Sequence, residues 1–165
     1  MVIHQRPTLW GQIQFEEDKN VAVCKNVEHP GRYVVDQLFL SQTEYQKSNI
    51  SNGTYSADIA TLATAAYCAA PACDLAALTT AMAETSVFAL AMTVTKNVTK
   101  ITRECTKQPC FTAEVTVTPP AGSHAAGHKY TVKTNENRYV RVAHTAANDP
   151  SPEGVSGTAG NTICL

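Results

Sequence analysis

FTAEVTVT, residues 111–118, is the stretch on which the fold turns. Phe111, Ala113, Val115 and Val117 alternate strictly with Thr112, Glu114, Thr116 and Thr118. A period of two sends one set of side chains to a buried face and the other into water. Strands with one wet face belong to antiparallel sheets covered on one side, so the rest of the chain has to supply neighbouring strands and a cover. KYTVKT (129–134) and NRYVRVAH (137–144) continue the strand pattern around the polar residues Asn135, Glu136 and Asn137, which predicts a hairpin. SVFALAMTVT (86–95) and NVTKITREC (97–105) offer one or two further strands.

Upstream the period changes. After Pro30, the residues Val34, Val35, Leu38, Phe39 and Tyr45 recur at helical spacing, with Asp36, Gln37, Glu44 and Lys47 on the remaining surface. This predicts an amphipathic helix over 31–47. SNISNGT then carries turn chemistry, because Asn-Gly tolerates positive φ. SADIATLATAAY (56–67) suits a short helix with Ser56 as N-cap. Asp74 suits the N-cap of a second, LAALTTAMAE, in which Leu75, Leu78 and Met82 share a face.

Helix first and antiparallel sheet afterwards is an α+β order. The expected architecture is a helix in the N-terminal half packed on the sheet, with Leu38 and Phe39 against the inward row Phe111, Val115 and Val117. A chain of 165 residues is long enough for one real core, so a single domain over 1–165 is expected. Within it, residues 1–30 read as irregular or as a hairpin, because Ile13 and Phe15, then Val21 and Val23, alternate with polar neighbours. The tail over 148–165 is rich in Pro, Gly and Ser and reads as irregular until Cys164.

Six cysteines, Cys24, Cys68, Cys73, Cys105, Cys110 and Cys164, form an even set, four of them in the C-x4-C loops CAAPAC and CTKQPC. Zinc favours C-x2-C spacing with a nearby His, so disulfides and an oxidising compartment are expected instead. Of the fifteen connectivities open to six cysteines, the most economical pairs Cys68 with Cys73, Cys105 with Cys110 and Cys24 with Cys164. The last of these would constrain the unfolded chain most.

Charged residues make up 16% of the chain against about 25% in typical domains, and the formal net charge is -1. That balance carries neither a nucleic-acid footprint nor an acidic tail, and the abundance of Thr, Ala, Ser and Asn suits an extracellular surface. No apolar run reaches the roughly 18 residues of a membrane helix, and the start, MVIHQRPTLWGQ, lacks the apolar core of a signal peptide. Export is therefore expected to depend on a segment removed from the mature chain.

SQTEYQKSNISNGTYSADIATL resembles the end of the long helix and the start of the following loop in type IV pilins and minor pilins, where a helical A-Q-x-x-Y-like segment runs into N-G-x-Y/F. Downstream, CFTAEVTVTP, a Gly-rich turn and GHKYTVKTNENRYVRV resemble the sheet strands of the same family, especially minor pilins with disulfide-closed loops. The resemblance covers about 31–144. It implies a rigid helical spine, a sheet packed on it, and a variable loop whose edges are held by cysteines. The function it implies is that of a structural or adhesive subunit of a cell-surface filament. Its partners would be other filament subunits and a host surface, and membrane contact would come only through an N-terminal hydrophobic helix. The family's prepilin cleavage site and early Glu do not occur in these residues. The rival class is a secreted disulfide-rich binding module, such as an effector, an inhibitor or a DNA-uptake receptor.

Candidate chemistry is sparse. His124 and His128 stand i, i+4 in PPAGSHAAGH, where Pro and Gly oppose a helix, and no metal site is expected there. His144 alternates with Val140 and Val142 and reads as a strand histidine. Glu16, Glu17 and Asp18 read as a solvated turn. No G-x-S-x-G, P-loop or H-E-x-x-H occurs, and with all six cysteines paired none is left over as a nucleophile, so no catalytic residue and no cofactor are expected. Lys129, Lys133, Arg138 and Arg141, with Tyr130 and Tyr139 among them, form a basic strip that could track a phosphate backbone or another surface. In a neutral chain it reads instead as a solvated sheet edge, and DNA binding beyond the weak non-specific level is not expected. Asn49, Asn52 and Asn97 fit N-x-S/T sequons, which matter only on a eukaryotic secretory route.

Overall fold

The computed structural model describes residues 24–96, 105, 107, 109–123 and 125–146. The alternation at Ile13, Phe15, Val21 and Val23, the acidic run at Glu16, Glu17 and Asp18, the strand pattern over 97–104, Asn97, His124, the tail from 148 and Cys164 lie outside the described residues.

A π-helical turn, Cys24–Glu28, leads directly into helix α1, His29–Lys47. Residues 24–30 are thus helical, which corrects the irregular or hairpin reading of that part of the N-terminal segment. Pro30 is the reason the pattern misleads. It sits in the first turn of α1, where a missing N–H costs nothing and a fixed φ suits the helix, so it opens the helix. Val27 and Glu28 are buried ahead of it, and Glu28 receives the Arg32 guanidinium at 3.0 Å.

At the other end of α1 the Ser48 N–H and hydroxyl both donate to the Tyr45 carbonyl, at 2.9 and 2.6 Å. Ser51, buried, donates its hydroxyl to the Gln46 carbonyl at 2.8 Å and accepts from the Gly53 N–H at 3.0 Å. Asn52 and Gly53 take φ of 52° and 78°, as Asn-Gly allows.

Two short helices follow, α2 (Ile59–Leu62) and α3 (Leu75–Ala83). Asp74 caps α3 as expected, its carboxylate accepting from the Ala77 N–H at 3.0 Å. The cap of α2 is Asp58, not Ser56: Asp58 accepts from the Ala60 N–H at 3.1 Å and from the Thr61 hydroxyl at 2.8 Å. Both residue types can cap, but Ser56 is buried and its backbone is committed to α1.

Strands β1 (Phe88–Thr95), β2 (Cys110–Val117), β3 (His128–Asn135) and β4 (Arg141–Ala146) form one antiparallel sheet in the order β1-β2-β3-β4. The predicted hairpin closes where expected. Asn135 Oδ1 accepts from the Asn137 and Tyr139 N–H groups at 2.9 and 3.2 Å, and β4 begins only at Arg141.

The registers place Val94 beside Phe111, and Val115 beside both Leu90 and Val132. One apolar face therefore spans the sheet, and α1 lies over its β2–β3 centre. At one end, a Cβ on Gly31 would stand 3.1 Å from Val132 Cγ2 and 3.2 Å from Val117 Cγ2. At the other, the Phe39 ring lies 6.3 Å from Phe111, so α1 runs antiparallel to β2. Leu38 is fully buried while Phe39 is half-buried, and both pack on the core that contains the predicted inward row.

Gly31 is needed for that close approach, since its backbone is ordinary helix. Gly31→Val should therefore destabilise by about 1–3 kcal/mol through overpacking, despite the poor helix propensity of Gly. A denaturant midpoint unchanged by this substitution would show that the helix stands further from the sheet.

Disulfides join Cys68 to Cys73 and Cys105 to Cys110, with Cα separations of 4.9 and 5.5 Å. These are the two short-loop pairs expected. Cys24 is disulfide-bonded, and its expected partner, Cys164, lies outside the described residues.

Candidate interaction surface

The segment between α1 and β1 is anchored to α1 by side-chain amides. Gln42, fully buried, donates Nε2 to the Ser56 carbonyl and accepts the Ser56 N–H at Oε1, both at 2.8 Å. Its amide takes the place of a neighbouring strand for that one residue. Gln37 Oε1 accepts the Asp74 N–H at 2.8 Å, while its Nε2 donates to the Tyr33 carbonyl at 3.3 Å. The sequence does carry a signal for Gln42: it continues the stripe Val35, Leu38, Gln42, Tyr45 at i, i+3 and i+4 steps, a core position given to an amide. Only the buried partner in the loop is invisible beforehand.

Tyr33 donates its hydroxyl to Asp74 Oδ2 at 2.7 Å. That hydrogen bond, and then the Ala77 N–H, holds the Asp74 carboxyl below its ordinary value. The same hydrogen bond, ahead of partial desolvation and the Asp74 and Asp36 charges, pushes Tyr33 above its ordinary value near 10. The signs follow from linkage. A depressed carboxyl contributes stability above its unfolded value, near pH 4, and loses it as the pH falls through the folded value. A raised phenol contributes stability below about pH 10 and loses it as the pH rises through the folded value. Thermal melts across pH should therefore show a shallower acid limb for Asp74→Asn and a shallower alkaline limb for Tyr33→Phe. Unchanged limbs would mean that the contact does not persist in solution.

The basic strip is divided between two sides of the sheet. Lys129, Lys133 and Arg141 occupy the face away from α1: register sets Lys133 against Glu114 on one side and Arg141 on the other. Lys133 Nζ lies 3.2 Å from Glu114 Oε2. Arg138 turns the opposite way. It adopts φ of 58° after the hairpin, donates Nε and an Nη to the two Asp36 oxygens at 2.9 and 2.8 Å, and places its guanidinium 5.1 Å from the centre of the Phe39 ring. It therefore clasps the hairpin to α1 rather than extending the strip.

Lys133 and Arg138 are matched by carboxylates, so the salt slope that four phosphate contacts would give, near 4, falls to about 2 or below. Titration with duplex DNA at rising salt should give a slope no steeper than that and only weak non-specific affinity. Submicromolar binding at physiological salt would show a phosphate surface that these pairings do not provide.

Beyond the Asn-Gly turn an open groove of about 840 Å³ runs between the loop and the end of β1, lined by Tyr45, Ile50, Asn52, Tyr55, Asp58 and Lys96 among others. Ile50 stands 75% exposed at its rim. Burial, and then the Glu136 charge, pushes the Tyr55 phenol up. Asn49 and Asn52 are exposed on the same turn. Among the described residues no group of three or more His, Cys, Asp or Glu is placed to hold a metal ion. His128 opens β3 and His144 lies in β4 opposite Tyr130.

No protein-family model, curated protein or solved structure matches this chain. The surface has to be read from its own chemistry. The Cys68–Cys73 and Cys105–Cys110 disulfides are of the kind that form and persist in oxidising environments, such as extracellular or periplasmic ones. Among the described residues no helix is long and apolar enough to cross a membrane.

Proposed function

We propose that this chain is the globular head of a pilin-like subunit, a structural or adhesive component of a cell-surface filament that performs no catalysis. One observation carries the reading. A 19-residue helix runs into Asn52-Gly53-Thr54-Tyr55 at the start of an anchored loop, and a four-stranded antiparallel meander then packs beneath the helix. That order of elements is the one the pilin resemblance implies. The function follows mechanically: α1 is the spine, the sheet stiffens it, and the loop over 48–87 and the Cys105–Cys110 loop present contacts to other subunits or to a host surface. Disulfide closure suits loops that must keep their shape outside the cell.

The experiment is fractionation of the source cells. Mechanical shearing followed by high-speed sedimentation should bring the chain down with surface filaments, and its cysteines should resist alkylation until reductant is added. Recovery of the chain wholly as a freely soluble exported protein would replace the filament subunit with a secreted binding module.

A further inference from the structure

Strand β1 is an edge of the sheet, and its backbone directions can be assigned. The Thr118 N–H donates to the Val87 carbonyl at 2.8 Å, so Val87 and Thr118 are a hydrogen-bonded pair of the ladder. In an antiparallel ladder such pairs alternate with non-bonded ones. Ala89, Ala91, Thr93 and Thr95 therefore point their backbone groups at β2, while Phe88, Leu90, Met92 and Val94 point theirs away from the sheet. The Phe88 N–H is taken by the Glu84 carbonyl at 2.9 Å, which fits this assignment. No described strand meets the outward groups of Leu90, Met92 and Val94.

Native edges are normally guarded by charge, Pro, a bulge or shortness. FALAMTVT has none of these: it is eight residues long, uncharged, and free of Pro and Gly. Its inward residues Phe88, Leu90, Met92 and Val94 are only half-buried, because α1 lies over β2 and β3. Among the described residues, a backbone edge without these guards and an incompletely covered apolar row thus coincide on one strand.

We propose that β1 is an association edge whose occupant is β1 of a second copy of this chain, joining two four-stranded sheets into one continuous antiparallel sheet about a two-fold axis at Ala91. Directly opposed residues in an antiparallel pair share a face, so the register sets Leu90 against Met92, Phe88 against Val94, Ala89 against Thr93, and Ala91 against itself. The first two pairs consist of residues whose backbones point outward, about 5.5 Å apart at Cα: Leu90 and Met92 exchange both hydrogen bonds, while Phe88, whose N–H is held by the Glu84 carbonyl, accepts the Val94 N–H at its own carbonyl. These are the wider pairs, and they carry the bulky side chains. The closer, non-bonded pairs, about 4.5 Å apart, receive only Ala and Thr. Shifting the register by two residues keeps that match of size to spacing but sets Phe88 opposite Lys96 and gives up the apolar Phe88–Val94 pair.

That self-complementarity selects a second copy over a foreign strand. Such an interface is isologous and closes at two chains. The inference does not depend on the filament reading.

The test is sedimentation equilibrium of the whole chain with its disulfides intact, coupled to amide exchange. A single strand pair buries less than a standard interface of roughly 1,600 Å², so dimerisation should appear between about 0.01 and 1 mM, as for weak, transient contacts. The Leu90, Met92 and Val94 amides should gain protection as concentration rises over that range. Ala91→Lys places like charges face to face across the axis, while within one chain the new ammonium lies opposite Glu114, which favours folding. It should weaken association tenfold or more and abolish the concentration-dependent protection, with the circular dichroism spectrum unchanged. If that variant does not fold, Thr93→Lys, facing the second copy's Ala89, serves in its place. A wild-type chain that stays monomeric to about 1 mM, or a lysine variant that dimerises as tightly as the wild type, overturns the proposal.

Discussion

Phe111→Ala should lower the unfolding free energy by about 3–5 kcal/mol, among the larger losses expected from single truncations of the described residues. Phe111 is 1% exposed at the start of β2, where three elements meet. Its ring lies 6.3 Å from Phe39 of α1 and 4.8 Å, edge-on at 63°, from Tyr55 of the loop. Truncation to Ala removes the transfer energy of the ring, opens a cavity between parts that cannot all collapse into it, and ends two aromatic contacts worth about 0.5–1.5 kcal/mol each beyond their area. Phe111→Leu keeps most of the volume and should cost roughly 1–2 kcal/mol. On the opposite face, Glu114→Ala loses only its half-exposed contact with Lys133, worth at most about 1 kcal/mol. Urea titrations at constant m-value read all three. A Phe111→Ala midpoint equal to that of Glu114→Ala would show that helix and loop do not cover this end of the sheet.

Legibility follows the range of the interactions. Phe111, Ala113, Val115 and Val117 were readable because one buried face imposes a period of two on adjacent residues. Val34, Val35 and Leu38 were readable because the sheet beneath them imposes a helical period. Asn135 and Asp74 act within a few residues of themselves, so the hairpin and the α3 cap were readable too.

What escaped is set at longer range. Pro30 ends or begins a helix depending on whether the residues before it are buried, and Val27 is buried only because the sheet is there. Ser56 reads as the cap of α2 until Gln42, 14 residues away, claims its backbone, and Asp58 caps the helix instead. Strand parity puts Lys129 and Lys133 on one face, but Arg138 leaves the strip because a residue in the left-handed region aims its side chain at Asp36, 102 residues earlier. The place of β1 at the end of the described strand order is not contained in the pattern of FALAMTVT by itself.

The same distinction makes Gln42 the second large-effect position. A surface glutamine can be truncated freely, but Gln42 is fully buried and satisfies both backbone groups of Ser56, with its Nε2 also 3.3 Å from Met92 Sδ. Gln42→Ala should cost about 2–4 kcal/mol, since it strands a buried N–H and a buried carbonyl and each carries a desolvation penalty of about 1–3 kcal/mol. Met or Leu at this position would refill the volume without restoring either bond, so Gln42→Met should recover little of the loss. Gln42→Glu separates bonding from packing. With the carboxyl protonated, its O–H can donate to the Ser56 carbonyl and its other oxygen can accept the Ser56 N–H. Ionised, it has no donor and carries a buried charge. Its folded pKa must therefore lie above the unfolded value of about 4.3. Stability is then near wild type below that pH and falls as the pH rises through the folded value. Melts of Gln42→Glu at pH 4 and pH 8 should differ far more than those of wild type, with the variant weaker at pH 8. A Gln42→Glu protein equally stable at both would show that the amide does not bridge Ser56, and the loop over 48–87 would then need another anchor.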